Sequence, residues 1–379
     1  MRMERMLPAE RVSMPQARAD GNREFRCFFR LPGCHAFRGG LNSPMPLSFA
    51  AIGLNHGHIY GQVHCLQSAG AVLTHFHAEE DELAGPFQRA FPQARRVASV
   101  REILEDPHIR IVASASIPCE RARLGIEVMR HGKDFFVDKP GVISLDQLAA
   151  VRRVQAETKA HYSIFYGERF ENRATVKALD LVRAGAIGTV VQTIGLGPHR
   201  LNAPSRPDWF WKTEMNGGIL TDIASHQVDQ FLAFTGSTRA EVVSAHVGHL
   251  ATPEHPGFQD YGEMTLRGDG GMGHIRVDWF TPDGLGTWGD GRLIVLGTEG
   301  YLEIRKNIDP AGRPGGNHLI LVDRSEIRHW DCAQEPLPFG SQFLRDVEER
   351  SETAMSQAHC FLAMELALQA QAKAAAFRL

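Results

Sequence analysis

Apolar and polar residues follow two rhythms along the chain. From 47 to about 184, short apolar runs at 47–53, 71–77, 109–116, 134–138 and 160–166 alternate with helical stretches. The helical stretches fall near 61–68, 82–90, 100–104, 121–131, 144–160 and 171–184, and a brief extended piece lies at 96–97. Repeated strand–helix alternation with short connections predicts a parallel sheet covered by helices on both faces. From 188 the rhythm changes. Runs at 189–196, 241–249, 260–267, 271–280, 292–296, 301–305 and 318–322 tend to alternate in polarity and are separated by Gly, Pro or Asp. Consecutive strands without crossover helices predict a large, mostly antiparallel open sheet, packed on one face. One helix, 218–235, interrupts it. The tail from 339 is helical again, and its alanine-rich stretch 353–377 carries an apolar face at 355, 358, 361, 362, 366 and 368. The predicted fold class is α/β: an N-terminal doubly wound parallel sheet over 47–170, joined to a C-terminal α+β domain over 171–379 whose last helices span 340–377.

Residues 1–46 share neither rhythm. They carry eight arginines against four acids, and no apolar run leads into a small-residue cleavage site. They read as a poorly ordered extension, with an arginine-rich transit peptide as the second reading. The chain of 379 residues is 43% hydrophobic and 22% charged, with net charge −3. It lacks the basic stripe that a nucleic acid or an anionic membrane surface calls for, and its apolar runs are too short for a spanning helix. The six cysteines, at 27, 34, 65, 119, 332 and 360, show no CxxC spacing. That pattern predicts free thiols in a reducing compartment, the cytoplasm.

The first apolar run leads into Gly53-Leu54-Asn55-His56-Gly57-His58-Ile59-Tyr60-Gly61 and then a helix. Strand, glycine-rich turn and helix N-terminus form the setting for a dinucleotide pyrophosphate in a Rossmann unit. Glycines let the backbone approach, and the helix supplies N–H donors and a favourable dipole. Gly53, Asn55, His56, Gly57 and His58 are the candidates on this turn. Asn55 occupies the place of the second glycine of GxGxxG, so a plain tight turn stands as the other reading. The acid that would hold an adenosine ribose belongs about 20 residues on. That place is Ala78, with Glu79 and Glu80 following. Glu79 on the ribose would favour NAD; otherwise NADP or both remain open. Pro118 is a candidate for the nicotinamide side of the cleft and equally a helix-opening proline. His56/His58 and His75/His77 have HxH spacing, but no neighbouring carboxylate or cysteine completes a compact set, so no metal is expected.

Two more segments carry chemistry. Lys133-Asp134-Phe135-Phe136-Val137-Asp138-Lys139-Pro140 is an apolar strand that stops at a proline, which cannot continue a central ladder. Lys139 then stands at the carboxyl edge of the sheet, where open α/β sheets bind ligands. Gly217-Gly218-Ile219-Leu220-Thr221-Asp222-Ile223-Ala224-Ser225-His226-Gln227-Val228-Asp229 places Asp222 and His226 at i, i+4 on one helix face, with Asp229 on the same side. A histidine takes a proton near neutrality and a carboxylate can orient it; a surface ion pair has the same spacing.

With the turn at 53–61, VDKP at 137–140 and GGILTDIASHQVD at 217–229, the chain resembles the Gfo/Idh/MocA family of NAD(P)-dependent oxidoreductases over about 47–379. That family usually has EKP where Asp138-Lys139-Pro140 stands, and a pattern GGxxxDxxxH. YGERF at 166–170 and RPDWFW at 206–211 are also similar to family segments. The resemblance implies that Lys139 hydrogen-bonds the reacting hydroxyl and the nicotinamide ribose, that His226 is the general base, and that Asp222 positions substrate and histidine. Asp138 joins the cofactor site, and Arg169, His199 and Trp209 are candidate substrate contacts. Trp209 is equally a candidate for the core. The implied reaction moves hydride between a secondary alcohol of a sugar, cyclitol or related polyol and NAD or NADP. The alternatives are a redox-neutral enzyme that oxidises its sugar transiently, and a non-catalytic NAD(P)-sensing regulator. A homo-oligomer, dimer or tetramer, is expected because an uncovered apolar sheet face is costly.

Overall fold

In the computed structural model, which describes residues 46–377, the first half of the chain builds the expected parallel sheet. The extension expected over 1–46 lies, apart from Pro46, outside the described residues. Strands β1 (Ser48–Ile52), β2 (Val72–His77), β3 (Arg95–Arg96), β4 (Ile109–Ser114), β5 (Asp134–Asp138) and β6 (Tyr162–Phe165) lie in the order β3-β2-β1-β4-β5-β6. Every neighbouring pair is parallel. Between them run α1 (His58–Ser68), α2 (Asp81–Ala90), α3 (Val100–Glu105), α4 (Pro118–Arg130) and α5 (Leu145–Thr158). The strand order reverses between β1 and β4, which opens a crevice at their carboxyl ends. Phe135, Phe136 and Val137 of β5 are fully buried, as continuous apolar runs are when both sheet faces are covered. At the start of α5 the sequence Ser144-Leu145-Asp146-Gln147 has the form of a capping box, and it is half formed. Ser144 Oγ accepts from Gln147 N–H, while Gln147 Oε1 accepts from Ile143 N–H rather than from the cap itself.

After α6 (Gly167–Phe170) and α7 (Arg173–Arg183) comes β7 (Val190–Pro198), followed by α8 (Thr213–Asn216), α9 (Ile219–Asp222) and α10 (Ala224–Thr235). Strands β8 (Ala240–Gly248), β9 (Tyr261–Gly268), β10 (Gly271–Asp278), β11 (Arg292–Gly297), β12 (Gly300–Lys306), β13 (Asn317–Asp323) and β14 (Ile327–Asp331) follow. Helices α11 (Phe339–Glu349) and α12 (Gln357–Lys373) precede a last strand, β15 (Ala375–Phe377). The nine strands form one sheet, β14-β13-β12-β11-β7-β10-β9-β8-β15. It is antiparallel except where β10 meets β7 and β15 meets β8. Helix α10 lies on the inner face. Its approach is close because β7 is glycine-rich there: a Cβ on Gly195 would stand 2.7 Å from Gln227 Oε1.

The structure corrects the sequence reading at four places. The helix expected over 218–235 is divided at Ile223, where His226 N–H reaches back only three residues, to the Ile223 carbonyl. The helix expected over 353–377 ends at Lys373, because Ala374 turns extended and the last residues pair with β8. Edge strands β14 and β15 were not expected, being short and weakly patterned. Finally, α11 belongs by packing to the parallel sheet: Phe343 sits 5.2 Å from Phe136 and Phe339 5.9 Å from Phe165, ring to ring. The face beside α1 needs this cover, and only the returning chain supplies it. Among the described residues no helix is long and apolar enough to cross a membrane.

Candidate active site

The site begins where β4, β5 and β6 end together. Arg121, on the first turn of α4, is 1% exposed and ties the ends of β4 and β5 to one another. Its Nε donates to the Ser116 carbonyl at 2.7 Å, and its Nη1 to the carbonyls of Asp138, Lys139 and Pro140 at 3.0, 2.6 and 3.0 Å. Lys139 leaves the strand from that fixed point, and the Lys139–Pro140 peptide is cis. Lys139 Nζ donates to Asp222 Oδ1 at 2.7 Å, so the edge of the first sheet meets the α9 end across the domain junction. The lysine side chain is 6% exposed and the aspartate 19%.

Lys139, Asp222 and His226 line one cavity of about 670 Å³. Asp222 therefore binds Lys139, with no hydrogen bond to His226. The imidazole is 4% exposed, and its buried Nδ1 has no hydrogen-bond partner among the described residues. Burial lowers the His226 pKa to about 3; the charge of Glu168 opposes the shift and Lys139 adds to it. The histidine is thus neutral in the ligand-free cavity. Asp229, expected on the same side, does not reach the cavity. It lies about one turn further along α10 than His226, where its fully buried carboxylate meets Arg169 and His359.

The turn at 53–58 closes the opposite side. Gly53 has φ +74°, and a Cβ there would stand 2.5 Å from Ser116 Cβ, so only glycine allows β1 and β4 to end so close together. Gly57, the N-cap of α1, has open space above it and no side chain to fill it. The first N–H groups of α1 are partnered, that of His58 by His56 Nδ1 and those of Ile59 and Tyr60 by the carbonyls of His56 and Gly57, so the open space over Gly57, the helix dipole and the cleft at the strand reversal are what fit a dinucleotide phosphate. Gly57, His56, His58 and Pro118 line the cavity. Gly53, Asn55 and Asp138 stand behind the lining. The Asn55 amide donates to Glu80 Oε1 at 3.2 Å, while Glu79 is exposed. Arg96 donates to the Ala78 carbonyl at 2.8 Å beside the same strand end.

One expectation about this turn is overturned. No carboxylate near the HxH pair is visible in sequence, yet Asp138 stands beside it, with His58 Nδ1 at 2.9 Å and His56 Nδ1 at 3.6 Å. These three groups have the closeness of a metal site. Arg121 Nη2 lies 3.2 Å from the same carboxylate, however, and a guanidinium there repels a cation. Burial alone would raise the Asp138 carboxyl, but His58 and Arg121 hold it far below the usual range. His56 is pushed well below its ordinary value by burial first and His58 second, although its side chain is 28% exposed.

The far wall is aromatic and basic. His199 and Trp209 line it together with Phe210, Trp279 and Trp288, and Trp209 also packs against the core. His199 lies between Trp279 and Trp288, with ring centroids at 5.5 and 4.5 Å, and burial lowers its pKa to about 4. Arg169 is corrected: it lies outside the cavity, its Nε and Nη2 gripping Asp229 at 2.7 and 2.6 Å. Its neighbour Glu168 faces the cavity instead. Glu168 Oε2 accepts from Lys306 at 2.9 Å and from Gln227 at 2.7 Å, and its Oε1 is buried without a partner among the described residues. Burial would raise this carboxyl, but Lys306, then His226 and His199, hold it well below the usual range. Arg121, Glu168, Arg206 and Lys306 are among the polar lining residues that sequence reasoning missed. YGERF pointed to the right turn and the wrong side chain; for Lys306, at a strand end 138 residues away, no local signal exists.

Two neutral buried histidines set a pH dependence. His226 and His199 have folded pKa values below the ordinary 6.5, so the unfolded chain binds more protons. Their stabilising contribution is complete above about pH 6.5 and is lost as pH falls through the folded values. The melting temperature of the ligand-free protein is expected to fall between pH 6.5 and 4, and less steeply in His226→Gln. Parallel pH profiles for the two proteins would show that His226 titrates normally.

A parallel doubly wound domain whose carboxyl edge is closed by an open nine-stranded sheet defines a two-domain class with its site at the junction. Residues 175–303 match the GFO/IDH/MocA C-terminal domain. A crystal structure of a protein from Erwinia carotovora atroseptica SCRI1043 superposes with TM-score 0.85 at 44% identity, covering 87% of this chain and 99% of its own. The scyllo-inositol 2-dehydrogenase (NAD(+)) of Bacillus subtilis (strain 168) is 29% identical over 209 residues, 54% of this chain and 57% of that protein. The scyllo-inositol 2-dehydrogenase (NADP(+)) IolW of the same organism is 26% identical over 180 residues, 47% of this chain and 48% of that protein. The chain thus spans about half the length of the curated relatives it matches. It belongs to the Gfo/Idh/MocA family.

Proposed function

We propose that this protein is an NAD(P)-dependent dehydrogenase acting on a secondary alcohol of a sugar, cyclitol or related polyol. The observation that carries the reading is the Lys139–Asp222 pair at 2.7 Å in one cavity with His226, bordered by the glycine turn. Relatives named as NAD(+)- and NADP(+)-dependent inositol dehydrogenases support it. The turn at 53–58 and Pro118 would hold the dinucleotide, whose nicotinamide supplies hydride acceptance or donation when bound. His226 is neutral and so always in its accepting form at neutral pH. It takes the hydroxyl proton at a ring nitrogen, and the charge of Glu168, acting on it, stabilises the imidazolium. The Lys139 ammonium donates to the same hydroxyl oxygen and stabilises the negative charge that develops there. Asp222 orients the ammonium and can accept from a neighbouring hydroxyl. The indoles of the far wall give sugar C–H groups an apolar face and exclude water.

The test is a panel of sugars and cyclitols offered with each cofactor. Stoichiometric appearance of reduced nicotinamide is expected with at least one polyol, with turnover lower by about 10²–10⁴-fold in His226→Ala. Failure of every polyol with both cofactors would remove the reading.

The outer face of the open sheet carries Ile194 and Ile320 beside the more exposed Leu296 and Tyr301, which are 43% and 41% accessible. Apolar groups at such density on a wide sheet suit association with a second copy. Light scattering is expected to give a dimer or tetramer; a lone monomer peak would reject it.

A further inference from the structure

Arg206 is, among the described residues, the one arginine or lysine of the cavity without a carboxylate partner. Arg121 has Asp138, Lys139 has Asp222, Arg200 has Asp283 and Lys306 has Glu168. The position of Arg206 is nevertheless fixed. Its Nε donates to the Leu201 carbonyl at 2.7 Å and its Nη2 to the Arg200 carbonyl at 3.1 Å. Its guanidinium carbon stacks 4.4 Å from the Phe210 ring centre and 4.9 Å from that of Trp279. Two hydrogen bonds and two aromatic faces leave the group little freedom. Nη1 donates to no group among the described residues, and Arg206, Phe210 and Trp279 all line the cavity.

A guanidinium stays charged at any physiological pH, so it cannot escape its partial burial by losing a proton. Its aromatic neighbours offer cation–π attraction and no counter-charge. The nearest negative influence is Asp222, which already holds Lys139. Asp222 thereby links the two ends of the substrate space: it touches the Lys139 ammonium and its charge acts on Arg206.

Resting on the dehydrogenase reading, we infer that the substrate is an acidic sugar, an aldonate or uronate, whose carboxylate is bound by Arg206 Nη1 while a hydroxyl further along meets Lys139 and His226. A neutral polyol would leave the guanidinium without a counter-ion, whereas a carboxylate makes a short charge-assisted bond there. Nε–H and one Nη2–H are taken by backbone carbonyls, which leaves the Nη1 hydrogens and the second Nη2 hydrogen for a ligand. Arg206 is, among the described residues, the single cation of the lining without a counter-ion, so one negative charge balances it, whereas a phosphate dianion would bring a second charge into a partly buried site.

The test uses the full chain with oxidised cofactor and matched substrates: D-glucose, D-gluconate, D-glucuronate and D-glucose 6-phosphate. At least one acid is expected to exceed D-glucose in kcat/KM by tenfold or more. Arg206→Gln is expected to raise KM for that acid at least tenfold more than it raises KM for D-glucose, with Arg206→Lys recovering part of the loss. Calorimetric titration of D-gluconate into the cofactor-loaded protein reads binding without turnover. Binding that Arg206→Gln abolishes, in a protein that turns over no sugar, would keep the acid site and reject the dehydrogenase. Equal use of acid and neutral sugars by wild type and Arg206→Gln, a preference for the phosphate, or unchanged gluconate binding in the variant would each overturn the inference. Should circular dichroism show Arg206→Gln unfolded, Arg206→Lys decides, because an unchanged KM for the acid with a weaker, repositioned cation also overturns it.

Discussion

Lys139→Met is expected to lower turnover by about 10³-fold or more while the melting temperature changes little. The ammonium is the charge closest to the place where an alkoxide would form, and it is held there by Asp222 at 2.7 Å. Methionine keeps most of the side-chain volume and removes the donor. The aspartate left behind is 19% exposed, so water can replace the ammonium and the fold is spared a dry unpaired charge. The loss should appear in kcat with little change in cofactor affinity, since the turn at 53–58 is intact. Turnover within tenfold of wild type would reject Lys139 as a catalytic group, and with it the chemical reading of the Lys139–Asp222 pair.

Arg169→Met is expected to have the opposite signature: a large loss of stability and near-normal turnover in the surviving fold. Arg169 and Asp229 form a two-pronged ion pair in which the carboxylate is fully buried. Removing one partner of a buried pair costs about 3–5 kcal/mol, because the remaining charge has no water to turn to. His359 Nε2, at 2.8 Å, is then the only other side chain bonded to that carboxylate among the described residues. For a chain of this size the melting temperature should drop on the order of 10 °C. A raised KM for substrate with an unchanged melting curve would instead place Arg169 in the substrate site, as the family resemblance implied.

The contrast between these two residues shows which parts of the site were legible. Lys139 was readable because a proline ends its strand, and a residue at the carboxyl edge of a parallel sheet points toward the ligand crevice whatever the distant chain does. Asp222 and His226 were readable because their i, i+4 spacing brings them to one side of the chain, and the break at Ile223 leaves both lining the cavity. Their partners were not. The same spacing put Asp229 on that side, and only depth along the helix separated it from the cavity. Glu168 and Arg169 are adjacent, and sequence offers no rule for which of the two faces the substrate. That choice follows from Lys306 lying across from one and Asp229 from the other. The HxH turn gained its carboxylate, Asp138, from 80 residues away.

Taken alone, the sequence determined the local periodicities and hence the elements: the parallel sheet, the open antiparallel sheet and the turn that joins β1 to α1. Those patterns follow from which face of each strand or helix must be dry, a requirement each segment carries in itself. Tertiary structure decided which helix covers which sheet, as α11 returning to Phe136 shows, and which charges meet across the domain junction. Such pairings depend on the relative placement of segments that share no local signal, so they exist only once the two sheets have closed around the cavity.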